Sequence, residues 1–260
     1  RSLAGLIYCS GLLQRAHIRK TPQAYRLYRD RTISPSHPNA IAFRRQYGEN
    51  IPITLLSCWD TVGELEVPNL IPLVSDRINA KYQFHDTQLN RCIEHALHAV
   101  AIDERRKVFN VTPMAISKDA TTTLKQVWFP GTHSCIGGGQ QELSGLADAA
   151  LNWMIEAIGK LGLGLEFVEH PEAIAEGGIQ PDYQVFFSPE TDGIFALGGL
   201  IYRDLNNPGR RSDTPIPIDQ SFFDRNIHLS TKRRWQLTDE PLYRPKNLDL
   251  YQQWFSTFAE

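Results

Sequence analysis

The sequence has few of the features that would tie the protein to a metal, a membrane or a nucleic acid. Its four cysteines show no CxxC spacing and are scattered at Cys9, Cys58, Cys92 and Cys135. A zinc site or a disulfide framework is therefore not expected, and the cytoplasm is the default compartment. No apolar run reaches the roughly 18 residues that a membrane-spanning helix needs. A net charge of −2 gives no electrostatic footprint for nucleic acid. No cofactor or metal is expected.

The first thirteen residues predict a helix. A charged residue followed by an apolar run superficially resembles a secretory signal, but there is no initiator methionine and no clear A-x-A cleavage site. The spacing instead places Leu3, Leu6, Ile7 and Leu13 near one helical face, with Gly11 as a stop signal. We expect a buried helix whose preceding strand and turn are missing from the sequence.

Residues 14–50 are rich in basic and aromatic side chains. Two short helices are predicted here, one over residues 22–30 and the other over residues 39–47. The arginines permit two interpretations, a site for an anionic headgroup or an ordinary solvated face. The second is the more common arrangement for such residues.

A β-prone run ends in an acidic residue. Residues 53–59 (ITLLSCW) are continuous and apolar enough to predict a central parallel strand. Asp60 follows at the carboxyl end of the strand, where ligands and catalytic groups collect in open α/β sheets. A carboxylate there can orient an imidazole and stabilise the imidazolium formed during proton transfer. The alternative is that Asp60 caps the next turn through its side chain.

A histidine also follows a second predicted strand and a turn. Residues 127–129 predict a buried strand that ends at Pro130 and Gly131. His133 stands just past the turn, glycines occupy residues 137–139, and residues 143–163 have helical periodicity. This order is typical of an α/β enzyme that places a catalytic base at the end of its sheet. Two alternatives remain: a core histidine beside a structural turn, and a phosphate loop, although the lysine–serine pair of a P-loop is absent.

Between these strands the sequence predicts a loop over residues 64–87 and then a helix over residues 88–109, whose apolar side chains share one side. His95 and His98 lie three residues apart in this segment. No further ligand lies at convincing zinc spacing, so packing or exposure is expected for both histidines. Residues 103–106 (DERR) are interpreted as a salt-bridged helix end, worth little energetically if exposed.

Strands that alternate with helices predict an α/β fold, with a mostly parallel sheet flanked by helices. We expect residues 1–205 to form an incomplete core of this fold. Residues 206–260 are rich in proline and poorer in core residues, and they are predicted to wrap that core as an extension.

Six segments, in order along the chain, share their pattern with one known family. They are RSLAGLI (1–7), CWDTVG (58–63), HAVAIDER (98–105), WFPGTHSCIGGG (128–139), IHLS (227–230) and YRPKNL (243–248). The chain resembles the α/β-hydrolase family whose best-known members are type VI secretion phospholipase effectors. The resemblance implies that Asp60 is the catalytic acid and His133 the base, in the order Ser…Asp…His expected of α/β hydrolases. Two residues depart from the family pattern: Cys135 replaces an aspartate, which removes a charge two residues from His133, and Gln140 replaces an aromatic.

One expected motif is absent. The family's nucleophile is the serine of a GFSRGA elbow just upstream of the segment that resembles residues 1–7, yet no G-x-S-x-G occurs in these 260 residues. Cys9 and Ser10 are poor substitutes because they lie within the predicted helix rather than at a strand-to-helix turn. The resemblance therefore predicts the C-terminal portion of a hydrolase, with the serine and part of the oxyanion hole outside the sequence.

The leading functional prediction is a serine hydrolase of esterase or lipase type, acting on an ester or phospholipid by acyl transfer and inactive as this chain alone. The alternative is a non-catalytic remnant or pseudoenzyme that binds a partner or a lipid surface. Self-association through the exposed apolar face of the first helix is also expected. Secretion by a signal-independent system is compatible with the expected cytoplasmic location.

Overall fold

The computed structural model describes residues 1–62, 88–168, 178–189, 191, 193–206, 217–239 and 241–256. The chain divides into two compact units. The first comprises Arg1–Cys58, Gln83–Leu97 and Met114–Leu124, and the second comprises Trp59–Tyr82, His98–Pro113 and Lys125–Glu260. The loop predicted over residues 64–87 lies outside the described residues.

The described part of the chain contains both helices and strands, with most of the strands within residues 48–129. The α-helices are α1 (Ser2–Ser10), α2 (Thr21–Arg29), α3 (Pro38–Tyr47), α4 (His133–Gly137), α5 (Ser144–Leu161), α6 (Gln220–Asn226), α7 (Leu229–Gln236) and α8 (Gln252–Ser256). The strands are β1 (Leu12–Leu13), β2 (Gly48–Glu49), β3 (Ile53–Trp59), β4 (Gln88–Leu89), β5 (Ile93–Ala101), β6 (Ala115–Ile116) and β7 (Thr123–Phe129). Short 3₁₀ helices cover Arg15–Lys20, Lys107–Phe109, Gln141–Leu143, Ala196–Gly198 and Lys246–Tyr251.

Helix α1 is confirmed, and it ends at Gly11 as predicted. Its buried side carries small residues: Ala4, Gly5 and Cys9 are buried, whereas Leu3 is 67% exposed. Small side chains occupy the contact because α1 packs closely against α2 and α3. The exposure of Leu3 agrees with the exposed apolar face that the sequence predicts for this helix.

The two short helices of the basic region are also confirmed as α2 and α3. Helix α3 begins at Pro38, and the Nδ1 atom of His37 accepts the N–H of Asn39 as a cap. Arg44 is partly buried, and its guanidinium donates to the carbonyl of Cys9 at 2.6 Å. This arginine satisfies a carbonyl at the end of α1 that has no partner within the helix.

The fold class is confirmed: a mostly parallel sheet is flanked by helices. Its described strands follow the order β3-β5-β7. The N–H groups of Ile53 and Asp60 donate to the carbonyls of Cys92 and Ala99, so both strands advance in the same direction. Strand β3 is confirmed as a strand, but it lies at the edge of this described order, whereas a central position was predicted.

Strand β5 corrects the largest error of the sequence analysis, which predicted a helix over residues 88–109. The segment holds β4, β5 and the 3₁₀ turn Lys107–Phe109 instead. From Ala96 to Ala101 every residue of β5 is buried, because a central strand has both faces covered. A short, continuous apolar run of this kind fits a helix and a strand equally well, and packing decides between them.

Strand β7 and helix α5 confirm the second predicted strand and the helix that follows it. Val127, Trp128 and Phe129 are buried, as expected of the end of a core strand. Helix α5 ends at Gly162, which has a left-handed conformation with φ 64°.

The carboxyl-terminal part of the chain supplies much of the core of the second unit. Residues from β5 and β7 cluster there with residues from α6, α7, α8 and the turn before α8. The buried members of the cluster are Val100, Ile102, Val111, Trp128, Leu205, Ile218, Phe223, Ile227, Trp235, Leu248, Tyr251 and Phe255. Ile227 forms a parallel bridge with Trp128, next to β7. The predicted domain boundary at residue 206 stays a prediction.

If residues 217–256 belong to the core, truncating their buried aromatic side chains will cost as much as a core mutation. Phe223 is fully buried, and Phe223→Ala should lower the free energy of unfolding by about 3–5 kcal/mol. The measurement is denaturant unfolding followed by tryptophan fluorescence, which Trp128 and Trp235 in the same cluster report. The matched control is Phe222→Ala at the partly buried neighbour, which should cost much less. Equal effects at both positions would contradict a core role for α6.

Candidate active site

Asp60 lies at the carboxyl end of β3 in a conformation that aims its side chain inward. It is fully buried and has a φ of 38°, which is unusual for a residue other than glycine. Its N–H donates to the carbonyl of Ala99, and its Oδ1 accepts the N–H of Ala101 at 2.9 Å. These bonds to β5 offset the cost of the left-handed conformation, about 1–2 kcal/mol, and fix the position of the carboxylate.

Arg203 clamps this carboxylate. Its Nη1 donates to Oδ1 of Asp60 at 2.6 Å and its Nη2 to Oδ2 at 3.0 Å, so the pair is bidentate. The same two nitrogens donate to the carbonyls of Ala101 and Phe109 at 2.6 Å each. Sequence reasoning missed Arg203, because it lies 143 residues from Asp60 in a stretch without a recognisable motif.

The charge of Asp60 is set by two opposing effects. Burial raises the pKa of Asp60. The charge of Arg203 and the hydrogen bonds from His133 and Arg203 together lower it by a larger amount. The net result holds the pKa of Asp60 well below its ordinary value. Asp60 is therefore a carboxylate at neutral pH and can only accept hydrogen bonds.

His133 follows the turn that ends β7. Gly131 in this turn has a φ of 122°, and a Cβ atom there would lie 2.6 Å from Cβ of Cys135, so only glycine fits. The N–H of Gly131 donates to Oδ2 of Asp103 at 2.7 Å. The N–H of His133 itself donates to Oε2 of Glu104 at 3.2 Å. The backbone on both sides of the turn is thus held by the two acidic residues that follow β5.

The structure brings Asp60 and His133 together, as the sequence predicts. Nδ1 of His133 lies 2.8 Å from Oδ2 of Asp60, and the carboxylate can only accept, so Nδ1 carries the proton. The imidazole stacks on Phe109 at 5.3 Å between ring centroids. Its side chain is 35% exposed, and Nε2 has no hydrogen-bond partner among the described residues. A base with one oriented nitrogen and one available nitrogen can take a proton from a nucleophile.

The segment interpreted as an exposed, salt-bridged helix end is instead a buried network. Glu104 is almost fully buried. Its carboxylate accepts hydrogen bonds from Nε and Nη2 of Arg106 at 2.8 and 2.7 Å. The predicted salt bridge is present between Arg106 and Glu104, but the predicted helix was wrong, because the segment follows strand β5 and enters the interior. Glu104 is therefore an interior residue that holds the backbone of His133 through a hydrogen bond.

Asp103 is the second buried carboxyl group of this network. Burial raises its pKa to about 7, although hydrogen bonds from the N–H of Gly131 and the hydroxyl of Tyr243 favour the charged form. No charged side chain donates a hydrogen bond to it among the bonds described, and the positive charge of Arg234 lowers its pKa only in part. The contrast with Asp60 follows from this difference in partners.

His98 is fully buried and has a structural role. Its Nε2 accepts the N–H of Thr61 at 3.1 Å, so its Nδ1 carries the proton and donates to Oε1 of Gln126 at 2.8 Å. This bond fixes the residue that follows Asp60. His95 is partly buried, and no cluster of metal ligands occurs within the described parts of the chain.

The motifs near the carboxyl terminus anchor the site. Nδ2 of Asn247 donates to the carbonyls of Ile102 and Arg203, which holds the backbone of the arginine that clamps Asp60. His228 caps α7 and stacks on Phe129 at 4.2 Å. Burial lowers the pKa of His228 to about 4, so this histidine is neutral at neutral pH.

The glycines at residues 137–139 do not form a cradle in the structure. A Cβ atom at any of the three would meet nothing within 4 Å. They lie at the end of α4 and just after it, and no cation is placed against them by any of the contacts described. The phosphate-loop interpretation therefore gains no support.

Comparison with known proteins finds one matching family. The model of a family described as "T6SS, Phospholipase effector Tle1-like, catalytic domain" matches residues 1–157, more than half of the chain. The matched part contains both Asp60 and His133 and ends before Arg203. No curated protein and no solved structure matches the chain. None of the described helices is both long and apolar enough to cross a membrane.

Removing the Arg203 guanidinium should leave the buried charge of Asp60 without its ionic partner. We expect Arg203→Met to lower the free energy of unfolding at neutral pH by about 3–5 kcal/mol, because Asp60 loses its bidentate partner. The deficit should shrink on acidification. In the native chain the charge of Asp60 stabilises the fold above an unfolded pKa of about 3.9, and this stabilisation is lost only as the pH falls further. In the variant, protonation relieves the unpaired carboxylate.

The measurement is denaturant unfolding at several pH values. Arg225→Met removes an exposed arginine and serves as the matched control. A loss of roughly 1 kcal/mol or less for Arg203→Met, the range of a surface ion pair, would contradict the clamp.

Asp103 should make stability fall as the pH rises towards 7. Its folded pKa of about 7 lies above an unfolded value of about 3.9. The protonated form is therefore favoured in the folded state, and its contribution of a few kcal/mol is complete below the unfolded pKa and lost as the pH rises through about 7. Asp103→Asn retains an oxygen that can accept from Gly131 and Tyr243, and it should flatten this dependence. An unchanged pH profile of unfolding in Asp103→Asn would show that Asp103 does not titrate in this range.

Proposed function

The chain belongs to the family of Tle1-like phospholipase effectors of type VI secretion, and we propose that Asp60 and His133 are the acid and base of a serine-type phospholipase. The reaction is hydrolysis of a carboxylic ester in a phospholipid by acyl transfer. The observation that carries the proposal is the 2.8 Å bond between Nδ1 of His133 and Oδ2 of Asp60, together with the available Nε2 of the same ring.

In the proposed mechanism, Nε2 of His133 takes the proton of a serine hydroxyl as the oxygen attacks the ester carbonyl. Asp60 stabilises the imidazolium that forms and keeps its own negative charge, since Arg203 holds its pKa low. His133 then returns the proton to the leaving alcohol. In the second half of the reaction it activates the water that releases the fatty acid.

The nucleophile is proposed to lie outside these 260 residues. No G-x-S-x-G motif occurs in the sequence, and no serine hydroxyl contacts Nε2 of His133 among the described residues. Ser10 is buried in α1, where its hydroxyl donates to the carbonyls of Leu6 and Gly11. Its hydroxyl is thus occupied by the backbone, and the chain alone should lack esterase activity.

The proposal is tested by comparing this chain with a version extended upstream through a serine elbow. Phospholipid hydrolysis and labelling by a serine-directed fluorophosphonate should appear only in the extended protein. There, Asp60→Asn should lower kcat by roughly 10⁴-fold, because the imidazole loses its orientation and charge partner. His133→Ala should abolish turnover.

His17→Ala is the matched control, since His17 contacts Tyr47 and lies in the first unit, outside the site. Two results would count against the proposal. Labelling of a serine within residues 1–260 would show that the nucleophile is present after all. An extended protein that binds lipid but hydrolyses none would favour the non-catalytic alternative.

A further inference from the structure

An apolar surface begins at the catalytic imidazole. One face of His133 stacks on Phe109, and Phe109 in turn contacts Phe195 with 5.1 Å between ring centroids. Phe195 belongs to a short stretch of large apolar residues that water reaches freely. Its exposed members are Ile194, Phe195, Leu197 and Leu200. Exposed residues of this size in one stretch mark a binding surface more often than an accident of the fold.

The stretch is fixed in place by the backbone. The N–H of Lys107 donates to the carbonyl of Gly199 at 2.9 Å, and the N–H of Ile201 donates to the carbonyl of Arg105 at 2.8 Å. Gly198 approaches so closely that a Cβ atom there would lie 2.7 Å from Cγ1 of Val108. The 3₁₀ turn Ala196–Gly198 therefore has a defined position beside the turn that carries Phe109, and its apolar side chains are presented by a built scaffold.

We propose that Phe195 and Leu197 form the subsite that binds the acyl chain of a lipid substrate. This inference rests on the proposed function, since it places the reacting ester next to His133. An acyl chain is bonded directly to the carbonyl carbon that the nucleophile attacks, so it must leave the imidazole along one of the neighbouring surfaces. The rings of Phe109 and Phe195 form an apolar surface, and the Phe109 end of this surface contacts the ring of His133.

The geometry also separates the subsite from the acid–base pair. Phe195 is 46% exposed and Leu197 is 66% exposed, and neither touches Asp60, Arg203 or Glu104 in any contact described. Substitutions at these two positions should therefore leave the fold and the imidazole intact. Their effect should depend on the length of the acyl or alkyl chain that is offered.

The test uses binding of alkylphosphocholines to this chain, below their micelle-forming concentrations, measured by isothermal titration calorimetry. Dodecylphosphocholine should bind more tightly than hexylphosphocholine. The double variant Phe195→Ser/Leu197→Ser should bind the longer ligand about tenfold more weakly, because two apolar contacts are lost. Phe195→Trp keeps an apolar ring and should retain binding.

Leu165→Ser is the matched control, because Leu165 is exposed to a similar degree, 56%, and has no described contact with the row from His133 to Phe195. A tenfold loss in this control as well would show non-specific adsorption and overturn the proposal. So would native affinity in the double variant, which would leave the stretch to another occupant such as a second copy of the chain.

Two separate measurements distinguish the subsite from the proposed chemistry. Asp60→Asn should remove hydrolysis in the extended protein, whereas the double variant should weaken the binding of dodecylphosphocholine to this chain. If Asp60→Asn proves active in hydrolysis and the double variant still loses binding, the proposed function fails and the subsite stands. If hydrolysis fails in Asp60→Asn and the double variant binds normally, the proposed function stands and the subsite fails.

Discussion

The buried pairing of Arg203 with Asp60 is the interaction on which the rest of the site depends. Each of these charges alone would cost several kcal/mol to bury, and each becomes tolerable only because the other is present in bidentate geometry. Asp60 is also held by the N–H of Ala101 and faces Nδ1 of His133, so its two oxygens meet four donor atoms. The position and the charge of the Asp60 carboxylate are therefore fixed by several independent contacts.

The same arginine ties the site to the rest of the second unit. Its bonds to the carbonyls of Ala101 and Phe109 fix the end of β5 and the turn whose ring supports His133. Its own backbone is held by Asn247. A segment near the carboxyl terminus therefore holds the arginine that pairs with Asp60.

Asp60 and Asp103 show how the surroundings of a carboxyl group decide its role. Both are buried, yet the pKa of Asp60 is lowered and that of Asp103 is raised to about 7. Asp60 meets a guanidinium directly, whereas Asp103 meets a backbone N–H and the hydroxyl of Tyr243. A permanently charged carboxylate is suited to orient an imidazole that becomes positive during the reaction. Asp103 instead accepts the N–H of Gly131 in the turn before His133.

What the sequence could predict follows from how local each signal is. Asp60 and His133 could be placed because Asp60 directly follows a short apolar run and His133 follows another after a turn, and strand ends meet at one edge of a parallel sheet. Strand β5 was mistaken for a helix because a run buried on both faces has no period of its own. The buried role of Glu104 was lost with the same error. Arg203 could not be found, since a pairing across 143 residues leaves no trace in spacing.

Cys135 shows why the loop around His133 tolerates a departure from the family pattern, which usually has aspartate at this position. The side chain is fully buried, and its thiol lies 3.3 Å from the hydroxyl of Thr132. Burial raises the pKa of Cys135, and the nearby Asp103 raises it further, so the thiol is neutral. An aspartate there would face Asp103, and two buried carboxyl groups close together cannot both ionise without cost. The cysteine removes that conflict. Asp103 is then the one buried acidic group beside Arg234 and Tyr243 among the contacts described. Asp60, which faces His133, pairs with a different arginine, Arg203.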